Sequence, residues 1–230
     1  MRHVPSALML FAAGFGTRMR HMTARQPKPL VPVGGRPLID CALDLAREVD
    51  ASPIVANLHY LPEMLEAHLQ GSEVKTVREE PDILDTGGGL RNALPLLGRD
   101  PVFTLNSDAI WAGPNPLRLL LDAWDPEKMD ALLICVPMAQ VQGRDGAGDF
   151  AMDADGRLSR GGDTVYGGAQ IIRTDLLHDV EDAAFSLNVV WDMIHTRQRL
   201  FGLRYPGQWC DVGHPEGIAQ AEAMLAHSDV

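Results

Sequence analysis

Residues 12–30, AAGFGTRMRHMTARQPKPL, set Gly14 and Gly16 ahead of Arg18 and, ten residues later, Lys28 between Pro27 and Pro29. Glycines let backbone N–H groups approach an anion closely. A guanidinium grips phosphate oxygens with two parallel bonds, and an ammonium adds a point charge. Prolines on both sides stiffen the lysine's backbone. Such a segment suits a triphosphate. Two other glycine loops are absent: the dinucleotide fingerprint needs a third glycine where Met19 stands, and the NTPase phosphate loop needs Gly-Lys-Ser/Thr after a four-residue gap.

Polyphosphate chemistry calls for Mg²⁺ held by one or two carboxylates, phosphate oxygens and water. The carboxylates are expected at strand ends facing the loop. VFTLNSDAIW places Asp108 just past an apolar run, and QWCDVGHPEG carries Asp211. Taken singly, Asp108 also reads as a turn residue, and Trp209 and Gly213 as core and turn positions. Between them, EEPDILDTGGGL offers Thr86 as a helix N-cap. There Gly87 to Gly89 would present first-turn N–H groups to a base or ribose. Three glycines cost about 1 kcal/mol each against alanine inside a helix, which points to close approach. Asn57, at the end of the second strand, is a weaker candidate.

The chain of 230 residues has a net charge of -11, yet residues 1–39 hold six Lys/Arg and no acid; the remaining 191 carry -17. An acidic body argues against non-specific nucleic-acid binding, whereas one basic patch suits a small anionic ligand. From charge alone, a biased solvated surface is the alternative. No apolar run reaches the length of a membrane span. The opening MRHVPSALMLFAAGFG reads as a buried strand rather than a signal peptide, because its apolar run is minimal and no small-x-small cleavage site follows. Cys41, Cys135 and Cys210 are odd in number and far apart, so a reducing cytoplasm is expected. The eight histidines show no metal-ligand spacing, and no serine elbow or Cys/His pairing is evident.

The elements that must position these residues alternate. Ala7 to Phe11, Pro53 to Ala56, Val74 to Val77, Val102 to Leu105 and Ala131 to Val136 read as buried strands. Helical patterns start at Pro37 and cover Leu61 to Leu69, Thr86 to Leu94 (stopped by Pro95) and Pro116 to Trp124. The implied class is α/β, a mostly parallel sheet sandwiched by helices. Beyond residue 140 the texture changes to hairpins and loops, then a strand at Gly168 to Ile172, a helix through Leu187 to Ile194, a strand pair near Leu200 to Val212 and a helix from Pro215. We read a single domain over 1–230 with a Rossmann-like nucleotide-binding half at about 1–140. A smaller mixed or antiparallel lobe takes the rest.

AAGFGTRM followed by PKPLVPV resembles the signature of the sugar-1-phosphate nucleotidyltransferases, with Phe11 where that family usually has leucine. The resemblance extends to NSD, where the family has Asn-Gly-Asp, and to Trp209-Cys210-Asp211-Val212-Gly213-His214-Pro215-Glu216, and so covers nearly the whole chain. It implies a sugar-1-phosphate oxygen attacking the α-phosphorus of a nucleoside triphosphate, with Mg²⁺ held by Asp108 and Asp211. Arg18 would stabilise the β- and γ-phosphates, and Lys28 the reacting ones. Ala12, Ala13, Gly14, Gly16 and Thr17 would complete the phosphate cradle. Thr86, Gly87 and Glu80, or its neighbour Glu79, would lie at the base. DTGGG and the Gly148-Asp149-Phe150 segment most resemble the N-acetylmuramate α-1-phosphate uridylyltransferases, in which residues matching Asn106 and Asp149 face the sugar phosphate; Gly168 joins them here as a candidate.

The wider family's Glu-Lys-Pro lysine has no counterpart, only Arg157 and Arg160 standing in that region. Alternatives left open are a mannose-1-phosphate guanylyltransferase, a glycosyltransferase using a nucleotide sugar, and a nucleotide-binding protein without turnover. The expected partners are a nucleoside triphosphate and a sugar 1-phosphate, with no nucleic acid and no membrane. The base, the sugar and any homo-oligomeric state stay open.

Overall fold

In the structure, a computed structural model, residues 4–98 and 101–228 are described. The elements of the first half are β1 (Leu8–Phe11), β2 (Pro32–Val33), β3 (Arg36–Pro37), α1 (Leu38–Arg47), β4 (Ile54–Leu58), α2 (Pro62–Leu69), β5 (Val74–Arg78), α3 (Asp85–Leu97), β6 (Val102–Asn106), β7 (Ala109–Ala112), α4 (Pro116–Ala123) and β8 (Ala131–Pro137). Then come β9 (Val141–Gln142), β10 (Phe150–Met152), β11 (Leu158–Arg160), β12 (Thr164–Ile172), α5 (Leu187–Thr196), β13 (Leu200–Arg204), β14 (Gln208–Asp211) and α6 (Pro215–Ser228).

The fold class is α/β, as the alternating patterns imply. β1 lies inside the large sheet, parallel to β4 on one side and to β6 on the other. The chain runs outward from β1 through β4 to β5 and then returns to the opposite flank with β6. That reversal makes a crevice beyond the carboxyl ends of β1 and β6, where open α/β sheets hold ligands. The register is explicit there, because Phe11 pairs with Asn57 of β4 and with Asn106 of β6.

The second half does not stand apart. β12 joins the large sheet antiparallel to both β6 and β8. β13 and β14 part company: β13 pairs with β8, whereas β14 forms a small sheet with β7 and β9. The expected strand pair near the end of the chain is therefore two strands in two sheets. The reason lies in the partners' patterns, since β8 is buried almost throughout and accepts a second buried neighbour.

Apolar side chains fill both faces of the large sheet. A third, smaller cluster lies beneath the crevice, where Met19, Val31, Ile110, Cys210, Val212 and Met224 meet. It ties the basic loop to the small sheet, so the residues flanking Arg18, Lys28 and Asp211 share one packed base.

Pro95 does not stop its helix. α3 continues to Leu97 and ends at Gly98, whose φ of 93° takes the chain out of the helix. A proline in the last turn removes one hydrogen bond while the apolar face, with Leu94 and Leu97 buried, holds the turn in place.

Candidate active site

The basic loop leaves β1 at Ala12, whose N–H donates to Asn57 Oδ1 at 2.9 Å. Asn57 is buried and passes the bond on, its amide donating to Glu79 Oε1 at 2.6 Å. Glu79 in turn accepts from the Leu84 N–H at 2.7 Å. This chain fixes the loop's first residue to the segment before α3. Gly16, at φ 63°, turns the loop back; a Cβ there would lie 2.9 Å from the Lys28 Cβ. Thr23 Oγ1 donates to the Gly16 carbonyl at 2.9 Å, and Met19 buries itself in the small cluster. Thr17 and Arg18, between those anchors, stay exposed.

Lys28 is buried between its two prolines, with Nζ 2.7 Å from Asp108 Oδ2. Arg18 reaches within 3.9 Å of Asp211 Oδ2 from a side chain that is 69% exposed. The two carboxylates project from neighbouring strand ends: Asp211 pairs with Ala109, and the Val212 N–H donates to the Asp108 carbonyl at 2.9 Å. Burial pushes the Asp211 carboxyl above the ordinary aspartate range, and the charge of Asp108 adds to it; Lys28, Arg18 and Arg144 pull the other way. A pair of acids placed side by side against their mutual repulsion suits a shared divalent cation. Among the described residues, no group of three or more His, Cys, Asp or Glu is placed to hold a metal. The pair would therefore need ligand oxygens and water to complete a Mg²⁺ shell.

The raised Asp211 ionisation has a consequence for stability. The folded form holds this proton more tightly than the unfolded chain does. Metal-free stability therefore declines as pH rises from the unfolded aspartate range through the higher folded one. Asp211→Asn is expected to leave the metal-free midpoint of thermal unfolding at pH 7.5 unchanged or higher; a lower midpoint would contradict the strained pair.

Around these groups the crevice opens into two compartments that share Phe11, Asp85, Thr86, Asn106 and Asp108. The smaller, about 240 Å³, is lined by Ala13, Gly14, Asn57, Glu79 and Thr86. The larger, about 410 Å³, runs past Arg18 and Asp211 to Asp149, Tyr166, Asn188 and Trp191.

Several sequence expectations change here. Glu80 is 70% exposed and lies 3.9 Å from Arg78, so it is Glu79 that faces the compartment. The acid on the inward side is the one drawn to Asn57. Thr86 does not cap α3: the helix starts at Asp85, and the Thr86 hydroxyl instead accepts the Leu187 N–H at 2.9 Å, at the start of α5. The first-turn N–H groups of Gly87 and Gly88 are not free for a base, because both donate to the Phe185 carbonyl, at 2.8 and 3.1 Å. Close approach does explain the glycines, but it is approach to protein. A Cβ at Gly87 would lie 2.3 Å from the Phe185 ring, one at Gly88 2.4 Å from the Ala183 carbonyl and one at Gly89 2.5 Å from Glu79 Oε1.

Gly89→Ala is accordingly expected to displace Glu79 and loosen the Asn57 relay to Ala12. The expected result is a several-fold rise in KM for the nucleotide with a smaller change for the second substrate, read by steady-state kinetics.

Gly168 likewise supports a neighbour. Its φ is 87°, and a Cβ would lie 2.9 Å from the Asn106 side chain. Its place is at the bulge of β12 behind Asn106, and Asn106 itself lines both compartments. Asp149 lies in the larger compartment, its Oδ1 2.6 Å from Arg144 and its Oδ2 accepting the Tyr166 N–H at 2.9 Å. Arg160 lines that compartment, whereas Arg157 does not, pairing with Asp155 outside it. Arg144, Tyr166, Asn188 and Trp191 are lining residues that the motifs do not reach, and Asp85 lines the crevice from within the DTGGG motif. Arg144 had a faint signal, a lone cation in the glycine-rich loop GRDGAGD.

Residues 8–201 match the model of the MobA-like NTP transferase domain. This chain belongs to that family. The N-acetylmuramate α-1-phosphate uridylyltransferase of Caulobacter vibrioides is 37% identical over 99% of this chain and 100% of its own length. A mannose-1-phosphate guanyltransferase of Pichia angusta is 27% identical over 90% of this chain, which spans 61% of that longer relative. The inositol-1-phosphate CTP transferase of T. maritima shares the fold, with a TM-score of 0.80 over 98% of this chain and 97% of its own, at 14% identity. The chain is a nucleotidyltransferase of the group its signature loop resembles. Among the described residues, no helix is long and apolar enough to cross a membrane.

Proposed function

We propose that this chain transfers a uridylyl group from UTP to N-acetylmuramate α-1-phosphate, giving UDP-N-acetylmuramate and pyrophosphate for cell-wall recycling in the cytoplasm. The observation that carries the choice of substrates is the end-to-end 37% identity with a uridylyltransferase of that specificity. The two-compartment crevice supports it, with one end beside the basic loop and another large enough for an N-acetylated hexose.

In this reading the triphosphate lies along the loop from Ala12 to Arg18. Lys28 and Arg18 neutralise phosphate charge, and the base occupies the smaller compartment near Asn57 and Glu79. The acceptor phosphate enters from the larger compartment, and one of its oxygens attacks the α-phosphorus as the bond to pyrophosphate breaks. Such transfer depends on alignment and charge neutralisation more than on proton movement.

Charge balance argues for a divalent cation. Lys28, Arg18 and Arg144 each already lie beside a carboxylate, so the protein alone leaves the substrates' phosphate charge largely uncompensated. Asp108 and Asp211 are the residues that would hold Mg²⁺, which when bound offsets charge on the reacting phosphates.

The test is pyrophosphate release from the four common NTPs, each paired with muramate (N-acetylated), glucosamine, mannose and glucose 1-phosphates. UTP with the muramate ester is expected to give the highest kcat/KM. A preference for GTP with mannose 1-phosphate would favour the activity of the Pichia relative. Consumption of a sugar nucleotide without any pyrophosphate-releasing pair would make the chain a glycosyltransferase.

A further inference from the structure

We propose that Arg144 binds the phosphate of the acceptor and that Asp149 is the residue that positions it. The inference rests on the nucleotidyl-transfer reading above, because it requires a phosphorylated acceptor in the larger compartment.

Three cations line that compartment, and two are committed elsewhere. Arg160 is a strut: its Nε and Nη2 donate to Asp192 Oδ1 at 2.9 and 2.7 Å, and Nη1 donates to Asn188 Oδ1 at 2.7 Å. Its guanidinium also lies over the rings of Phe150 and Trp191, tying β11 to α5. Arg18 belongs to the basic loop, which the proposed function assigns to the triphosphate, and lies 3.9 Å from Asp211. Arg144 differs, since its one described acceptor is Asp149 Oδ1, at 2.6 Å. A guanidinium carries five N–H donors in a planar fork, so most of the Arg144 edge is left for an incoming anion.

The loop carrying it is built against the site. Gly143 has φ 73°, and a Cβ there would lie 2.0 Å from the Asp211 carbonyl oxygen, so the loop rides on the backbone of that strand end. On the other side a ring nitrogen of His214 lies 3.0 Å from the Gly143 carbonyl. Arg144 is thereby held beside the Asp211 strand end. It lines the larger compartment beside Asp149 and Phe150, which lie on the far side of that compartment from the basic loop.

Asp149 then acquires a physical role. A carboxylate facing a phosphate directly repels it, whereas a carboxylate behind a guanidinium holds that cation in place and is screened by it. The backbone around Asp149 is fixed for this purpose, its N–H donating to the Thr164 carbonyl at 2.7 Å and its carbonyl accepting the Gly161 N–H at 2.8 Å.

The test is steady-state kinetics of Arg144→Gln, Arg144→Lys, Asp149→Asn and the Arg144→Gln/Asp149→Asn double variant, using the best pair from the substrate panel. Arg144→Gln is expected to raise the acceptor KM by on the order of 10- to 100-fold, the span of lost charge-assisted hydrogen bonds, while the nucleotide KM stays within about threefold. Arg144→Lys should fall between, and Asp149→Asn should add little to Arg144→Gln, because it acts through the arginine. An unchanged acceptor KM, an equal rise in both KM values, or a rise for the nucleotide alone would overturn the proposal. Arg144 lies in a surface loop, and if the glutamine variant fails to fold, the lysine variant decides on the same two KM values. Wild-type turnover of a sugar 1-phosphate tests the functional reading, and the ratio of variant to wild-type KM tests Arg144, so the two failures are distinct.

Discussion

Asp108→Asn and Asp211→Asn are each expected to turn over at least about 10²-fold more slowly than the wild type while keeping the fold. Each substitution removes one negative charge from a pair set on adjacent strand ends. The backbone bond between them, from the Val212 N–H to the Asp108 carbonyl, uses main-chain atoms and survives both changes. Asp211 is the sharper probe, because burial and its acidic neighbour already strain its ionisation. Its variant should therefore lose turnover without losing stability, and its dependence on added Mg²⁺ should move to higher concentrations. Near-wild-type rates in both variants would remove these residues from the metal site.

Lys28→Met is expected to reduce kcat/KM for the nucleotide by roughly 10²- to 10³-fold, because in the proposed reading this buried ammonium meets the phosphates and the loop holds no second buried cation. Methionine preserves most of the apolar stem that packs between the prolines. What it removes is the charge 2.7 Å from Asp108, leaving two carboxylates facing the incoming polyphosphate. Turnover should recover only in part at high Mg²⁺. A variant with unchanged nucleotide KM and kcat would move the phosphate contact elsewhere, with Arg18 the next candidate.

The basic loop was legible in the sequence because its chemistry is local. Gly16, Arg18 and Lys28 lie within thirteen residues, and the turn that joins them is closed from within by the Thr23 hydroxyl on the Gly16 carbonyl. Asp108 and Asp211 were reached through motifs at the ends of apolar runs, and the small sheet joins those ends. The alternating apolar runs likewise gave the α/β class and the strands that carry Asn57 and Asn106.

The rest depended on contacts that no local pattern encodes. Residues 87–89 signalled close approach, yet the approaching group, Phe185, comes from about a hundred residues away. Thr86 has the residue type of a cap and caps the start of a different helix. Glu79 and Glu80 are indistinguishable in composition; the Asn57 amide and the Leu84 N–H, which both bond Glu79, mark which one turns inward. Arg144 lines the crevice only because Gly143 lets its loop sit on the Asp211 strand end.

The most direct test of the central claim is to follow the label when the enzyme, Mg²⁺ and N-acetylmuramate α-1-phosphate are mixed with UTP carrying ³²P at the α position or, separately, at the γ position. Transfer by attack at the α-phosphorus predicts α-label in the sugar nucleotide and γ-label in pyrophosphate. Label appearing in free phosphate or on the sugar without the nucleoside would contradict it.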